Sequence, residues 1–346
     1  MEAIRRTDLS FAGPRSRATI ERLEEALDGE NEVRAEVGTD ADVDIEAFAD
    51  ALNANKLSRE LLPTGADERA RDDATHRTKR RKRFERVTRA LDNADVSFAS
   101  IKNLKTPYAM MSDIDLLVPD ASDHATAARI LAERDYEFYR FRLLAHPRKM
   151  MAKQSPTDPR PVDVYPDAMW IRKVVCDPAA VVERADSSSQ RELLPADDIY
   201  LVATHAYSHL SVTLAELVHA VAVLDQSEVE WSLLLKQAER YGCRDALLAY
   251  NYLLDWYLRA TGRDPIPEWV IDTLESGAVS AAVRRWWDGL TEPVEFPIEF
   301  PLYLPTVLSA AHHLPRVARR RSLRTTYKDL QSHALTLGSM LLRGEA

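Results

Sequence analysis

The stretch that decides the fold is SDIDLLV, at residues 112–118. Its apolar residues follow one another almost without interruption, which is typical of a β-strand buried on both faces. Pro119 ends the strand, because proline has no N–H to donate to a sheet. Alternate residues of a strand point to the same side, so Asp113 and Asp115 are predicted to project together where the strand begins.

Two carboxylates side by side at a buried strand need a positive partner, because burying their charges is otherwise costly. Oxygen ligands suit Mg²⁺ (or Mn²⁺), and Mg²⁺ also takes phosphate oxygens, so the pair predicts a metal site that binds nucleotide phosphates. The alternative is that both aspartates lie exposed at a strand end. Asp163 favours the metal site, because it is the single acidic residue of the strand-like run PVDVY at 161–165.

The residues around these two runs predict a small mixed α/β unit at 76–195. A basic helix is expected from His76 to about Asn93, and Ser122 is expected to cap another helix after the Asp113–Asp115 strand. Besides that strand, β-rich runs predict strands at 96–101, about 136–141, about 148–153 and 161–165.

The regions on either side are predicted to be helical. Residues 1–75 contain helical patterns at 14–28 and 44–55 and end in a polar stretch, 63–75, that is expected to be a linker. After Pro195 the apolar residues recur at helical spacing, at 197–209, 213–225, 231–241 and 244–261. The predicted fold class is α+β: a small mixed-sheet core with N-terminal helices and a C-terminal helical bundle at 196–346.

Composition narrows the choice of function. The formal net charge of −9 argues against nucleic-acid binding over the whole surface. Two distant cysteines, Cys176 and Cys243, argue against a disulfide framework or a zinc site and are expected to be free and buried. With no long apolar run and no leader-like pattern, a cytoplasmic protein is expected. The acidic excess and scarcity of lysine resemble proteins of salt-loving archaea.

The order of these runs resembles a known family. In the uncharacterised nucleotidyltransferases of the DNA polymerase β-like superfamily, a Lys-Gly turn follows a strand, then come Asp-x-Asp-Leu-Leu-Val and a Val-Asp-x-His-like strand. Here these correspond to Lys102-Asn103, DIDLLV at 113–118 and VDVY at 162–165. Helical segments similar to those that follow in the family are ATHAYSHL at 203–210 and LVHAVAVLD at 217–225.

The resemblance implies roles for named residues. Asp113, Asp115 and Asp163 are implied as metal ligands and catalytic residues. Four further residues are implied to contact the nucleotide: Lys102, Asn103, Ser112 and His205. Asn103 stands where the family has Gly and is expected to tolerate a positive φ, while Tyr165 stands where the family has His.

The resemblance therefore implies a Mg²⁺-dependent transfer of a nucleotidyl group from an NTP to a hydroxyl of a protein, a tRNA or a small molecule. A second hypothesis is a non-catalytic nucleotide-binding or antitoxin-like partner protein. A third is RNA contact through the basic run RTKRRKR at 77–83, whose alternative is a solvated helix face. His205 and His209 share one helical face, and packing at an interface is the alternative to ligand binding there.

Overall fold

The computed structural model describes residues 8–28, 45–61, 67–103, 105, 108–110, 113–139, 149–154, 161–170, 173–186, 188, 190–276, 280–290 and 293–300. Within them, eleven α-helices surround a five-stranded mixed sheet, which confirms the predicted α+β class. The helices predicted beyond residue 300, the acidic stretch 30–44 and Ser112 lie outside the described residues.

The central sheet has the order β1-β2-β5-β4-β3, and only the β2–β5 pair is parallel. Its strands are β1 (Ala99–Ile101), β2 (Ile114–Leu117), β3 (Glu137–Tyr139), β4 (Met150–Lys153) and β5 (Val162–Tyr165). All five lie within the predicted runs, although β1 begins three residues later than expected. Two-residue strands pair elsewhere: β6 (Met169–Trp170) with β7 (Lys173–Val174), and β8 (Ser211–Val212) with β9 (Ile298–Glu299).

The helices match the predicted pattern on both sides of the sheet. Their bounds are α1 (Pro14–Asp28), α2 (Ile45–Ala54), α3 (Asp67–Asp92), α4 (Ala121–Ala132), α5 (Pro178–Arg184), α6 (Pro195–Ser208), α7 (Leu214–Gln226), α8 (Trp231–Tyr241), α9 (Arg244–Ala260), α10 (Glu268–Glu275) and α11 (Ser280–Gly289). No helix of the described residues is long and apolar enough to cross a membrane.

Two local predictions are wrong. The expected linker at 63–75 is helical from Asp67 onward, because α3 continues nine residues further towards the N-terminus than its basic part suggested. Helix α4 is capped by Asp120 rather than Ser122. The Asp120 carboxylate accepts hydrogen bonds from the backbone N–H groups of Ser122 and Asp123, at 2.7 and 3.2 Å, which satisfies two of the unpaired donors of a helix start.

The two faces of the sheet pack against different cores. Ile114, Leu116 and Val164 pack with apolar residues of α3 and α4 in one cluster. Leu117 and Tyr165 lie on the opposite face and belong to a second, larger cluster that extends through the C-terminal helices. Since Asp115 alternates with Leu116, its side chain lies on the face towards the C-terminal helices.

The N-terminal helices share that larger core. Ile20 of α1 and Leu52 of α2 are fully buried in the same cluster as Leu253 of α9.

The N-terminal part is also joined to the turn before β2 by backbone hydrogen bonds. Residues 56–58 pair with residues 108–110: the Met110 N–H donates to the Lys56 carbonyl at 2.7 Å, and the Ser58 N–H donates to the Tyr108 carbonyl at 2.8 Å. The division into 1–75, 76–195 and 196–346 stays a prediction.

Candidate active site

Three aspartates converge at the start of the parallel strand pair. Asp115 of β2 lies directly opposite Asp163 of β5 in the sheet register, and Asp113 immediately precedes β2. Each of the three can offer a carboxylate oxygen such that all these atoms lie within 4.8 Å of one another. Alternation along the strand accounts for the shared face of Asp113 and Asp115, as predicted, and the parallel register adds Asp163 beside Asp115.

Burial makes the negative charge of this cluster costly. Burial raises the pKa of Asp115, against the opposing effect of Lys102. It also raises the pKa of Asp163 from 3.8 to about 6, against the effect of Lys149, and the Asp115 charge adds to the rise. A cation bound between the three carboxylates therefore relieves an unfavourable charge.

Two lysines partly supply that positive charge. Lys102 Nζ lies 3.0 Å from Asp115 Oδ1, and the Lys149 ammonium forms an ion pair with Asp163 Oδ2. Both ammonium nitrogens lie 4.9 Å from the centre of the Tyr165 ring, within the range of cation–π attraction. Lys149 was not predicted; its position at the start of β4, the antiparallel neighbour of β5, brings it to Asp163.

Tyr165 takes part in the same network. Its hydroxyl lies 3.4 Å from Asp163 Oδ2 and 3.4 Å from Lys102 Nζ. Burial raises the pKa of Tyr165 well above 10, and the nearby carboxylates Asp115 and Asp163 add to the rise. The residue in place of the family's histidine is therefore a neutral hydroxyl donor at ordinary pH.

The residues present fit a divalent metal ion. Their donor set is all carboxylate oxygen, which suits Mg²⁺ or Mn²⁺. Asp163 Oδ1 is buried and accepts no hydrogen bond from the described residues, and an unsatisfied buried oxygen of this kind calls for a partner. Among the residues that the structure describes, this is the one group of three acidic, histidine or cysteine side chains close enough to share a metal ion.

The turn before the aspartates has its positive φ, 54°, at Lys102 and not at Asn103, the residue that was expected to tolerate one. Asn103 is instead half-buried, and its side-chain oxygen accepts a hydrogen bond from Arg80 Nη2 at 3.2 Å. Strand β1 ends at Ile101, where the predicted strand also ends, and the reversal of the chain begins at the next residue, Lys102.

Arg80 reaches the site from helix α3. Its Nε and Nη2 donate to the backbone carbonyl of Asp113 at 3.2 and 3.0 Å. Burial lowers the pKa of Arg80, and the charges of Asp113 and Asp115 oppose that shift. Sequence reasoning counted Arg80 within a basic run; the helical period, which puts it on the same side as the buried Phe84, was the signal that could have separated it.

The histidine pair lies at the end of helix α6. His205 Nε2 and His209 Nε2 are 3.1 Å apart. The pKa of His209 is lowered by partial burial and by Lys56, and the charges of Lys102 and Asp113 also act on it. These charge interactions show that the end of α6 lies near Lys102 and Asp113, as the resemblance implied. They also identify Lys56, which sequence reasoning missed, as a neighbour of the site.

A sequence model of a protein family, described as "Uncharacterised nucleotidyltransferase", matches residues 68–259. The match covers more than half of the 346 residues and includes the aspartates and the helices α6 and α7. The chain belongs to this nucleotidyltransferase family. A comparison with curated proteins gave no match. Lys56 lies outside the matched residues.

Proposed function

We propose that this nucleotidyltransferase moves a nucleotidyl group from an NTP to a hydroxyl group of an acceptor, releases pyrophosphate, and depends on Mg²⁺ or Mn²⁺. The observation that carries the proposal is the convergence of Asp113, Asp115 and Asp163 within 4.8 Å. Membership of the family supports the general reaction. The metal, the NTP and the acceptor are parts of the proposal.

Asp113, Asp115 and Asp163 would hold the metal. When bound, a divalent ion supplies positive charge to the triphosphate and lowers the pKa of an acceptor hydroxyl. Lys102 and Lys149 already neutralise two of the carboxylates, and their ammonium groups are placed to attract phosphate charge as well. The chain thus contributes fixed charges and orientation, which are the main sources of catalysis in transfers to and from phosphate.

The transfer itself exchanges one bond for another. The acceptor oxygen forms a bond to the α-phosphorus of the NTP while the bond between that phosphorus and the bridging oxygen breaks. Pyrophosphate leaves with the electron pair of the broken bond. The hydroxyl proton is taken up by a water molecule, since the carboxylates of the cluster are assigned to the metal and the lysines.

The remaining nucleotide contacts are proposed from the family resemblance. Asn103 follows β1, and Ser112 immediately precedes Asp113 in the sequence. His205 lies at the end of α6 beside His209, on which the charge of Asp113 acts. The hydrogen bond from Arg80 limits the rotation of the Asn103 side chain. It is therefore proposed to meet the phosphates with a fixed amide group.

The direct test is incubation with each of the four labelled NTPs and with Mg²⁺ or Mn²⁺. The wild-type protein is compared with Asp113→Asn/Asp115→Asn and with a control, Asp264→Asn/Asp272→Asn, which removes two exposed carboxylates of the C-terminal helical part. Incorporation by wild type and control, but not by the first variant, supports the proposal. Equal incorporation by all three proteins refutes it. NTP binding without turnover under every condition supports the non-catalytic hypothesis instead.

An RNA acceptor is proposed from the surface of helix α3. Residues 76–89 contain eight Lys or Arg and one Glu, in a chain whose net charge is −9. Four exposed cations recur at helical spacing on one face, within an arc of about 80° at roughly 100° per residue; this basic stripe consists of Lys79, Lys82, Arg86 and Arg89. A row of one sign of charge suits a phosphodiester backbone, which also ends in the hydroxyl that the reaction needs.

Salt dependence tests the RNA acceptor. Each phosphate contact on a single strand contributes about 0.7 to the slope of log K against log salt. The triple variant Lys79→Gln/Lys82→Gln/Arg89→Gln is therefore expected to make the slope for a single-stranded RNA shallower by about 2. The control variant Arg15→Gln/Lys236→Gln/Arg285→Gln changes net charge equally on other helices. An equal slope in both variants removes the proposal that the basic stripe binds RNA.

A further inference from the structure

Arg80 connects the segment that follows β1 with the segment that leads into β2. One guanidinium nitrogen, Nη2, donates to both the Asp113 carbonyl at 3.0 Å and the Asn103 side-chain oxygen at 3.2 Å, and Nε donates to the same carbonyl at 3.2 Å. Asn103 follows β1 and Asp113 precedes β2, so these contacts join the two chain segments at the edge of the sheet.

We propose that Arg80 is a positioning residue that fixes the Asp113 carboxylate for metal binding. It touches neither a substrate nor a carboxylate oxygen through these bonds, so its effect on the metal passes through the backbone of Asp113. The proposal rests on the proposed function insofar as the three aspartates bind a divalent ion.

The helix that carries Arg80 is itself firmly held. Phe84 and Val87, one and two turns further along α3, are 5% and 1% exposed in the core between the helix and the sheet. The base of the Arg80 side chain is therefore fixed relative to β2. Only a planar guanidinium presents several N–H donors in one rigid fork, whereas a lysine ammonium is a point charge on a flexible stem.

Charge and geometry predict opposite effects on metal affinity. The charge of Arg80 interacts with Asp113 and Asp115, so removing it makes the site more negative, and by Coulomb's law alone a divalent cation binds more tightly. If Arg80 positions Asp113, removing Arg80 instead moves the Asp113 carboxylate away from the place where it binds the metal ion. Losing a group that orients a metal ligand weakens metal binding by about 10- to 100-fold.

The experiment is a titration with Mn²⁺ followed by electron paramagnetic resonance of the free ion. The proteins are wild type, Arg80→Met, Arg80→Lys and Asp113→Asn/Asp115→Asn. The matched control is Arg81→Met, which removes the same charge from an exposed neighbour that forms an ion pair with Glu85. We expect Arg80→Met to bind Mn²⁺ at least about 10-fold more weakly than wild type, Arg80→Lys to remain impaired despite its charge, and Arg81→Met to bind as wild type does.

The outcomes separate the two proposals. If wild type binds Mn²⁺ and Arg80→Met binds it equally or more tightly, the positioning role is wrong and the metal site stands. If Arg80→Lys restores full affinity, charge rather than geometry is the cause, and the positioning role is again wrong. If wild type binds no Mn²⁺, the proposed function and the role of Arg80 in it both fail.

A second measurement applies even if a variant is less stable. Amide hydrogen exchange of a peptide that contains residues 113–117 is compared at conditions of equal global stability. Arg80→Met and Arg80→Lys are expected to exchange faster at the start of β2 than wild type, while Arg81→Met is not. Unchanged exchange in both Arg80 variants shows that the contacts with the Asp113 carbonyl do not hold this segment and overturns the proposal.

Discussion

The acidic cluster should make the metal-free protein less stable as pH rises, and Asp163 gives the size of this effect. Its folded-state pKa is about 6, against 3.8 for the unfolded chain. Between pH 3.8 and about 6, Asp163 is protonated more often in the folded protein than in the unfolded chain. The free energy of unfolding therefore falls as pH rises through this range. At 1.36 kcal/mol per pKa unit, a shift of about 2 units costs about 3 kcal/mol once Asp163 is fully ionised.

The perturbation is Asp163→Asn, which keeps the shape of the side chain and cannot ionise. In the presence of EDTA at pH 8, the variant is expected to be more stable than wild type by about 3 kcal/mol. Towards pH 4 the difference is expected to vanish, because Asp163 is then protonated in the folded protein. Other titrating groups are common to both proteins and cancel in the comparison.

The assay is urea unfolding of both proteins at several pH values, first with EDTA and then with excess MgCl₂. The proposed Mg²⁺ site exists only in the folded protein, so bound Mg²⁺ would stabilise wild type by mass action, and the advantage of the variant should shrink or reverse when Mg²⁺ is added. The reasoning is refuted if Asp163→Asn is the less stable protein at pH 8 in EDTA, or if the difference between the two proteins is the same at pH 4 and pH 8.

Two further substitutions and one labelling experiment have defined expected outcomes. Lys149→Met removes the main interaction that lowers the pKa of Asp163, so urea unfolding in EDTA should show a loss of stability at pH 8 that disappears near pH 4; an equal loss at both values contradicts this assignment. Arg184→Met leaves the fully buried Asp197 without its two guanidinium hydrogen bonds of 2.9 Å, and a loss of about 3 kcal/mol is expected from the same assay; a loss under about 0.5 kcal/mol, the size of a neutral surface change, would show that the pair is effectively solvated. Cys176 is buried, and burial raises its pKa well above the ordinary value, so a thiol reagent should label it only after unfolding; labelling of the native protein at the rate of an exposed thiol contradicts that burial.

Much of the fold followed from local pattern. The helices α6, α7, α8 and α9 were predicted to within two residues at each end, because each shows apolar residues at helical spacing over ten or more positions. No bounds were predicted for α10 and α11. The strands were less well bounded, since a run of three or four residues carries little periodicity. The linker at 63–75 was wrong because the polar, charged start of α3 has no apolar face for its pattern to reveal.

The sequence by itself determined which residues are the candidates for the chemistry. Asp113 and Asp115 share a face because alternate residues of any strand do, and Asp163 stood out as the acidic residue of an apolar run. Only the tertiary structure decided that Asp163 lies directly opposite Asp115, since β2 and β5 are separated along the chain by α4 and two other strands.

The partners of the aspartates were also decided by tertiary structure. Lys149 comes from the segment that leads into the neighbouring strand β4, and Arg80 comes from a helix on the other face of the sheet. Lys56, whose charge acts on His209, comes from a segment outside the family match. Each reaches the site through long-range packing, which no local pattern of residues records. Alternation along a strand is a property of the backbone and can be read locally, whereas the choice of counterion depends on which distant segment the folded core brings near.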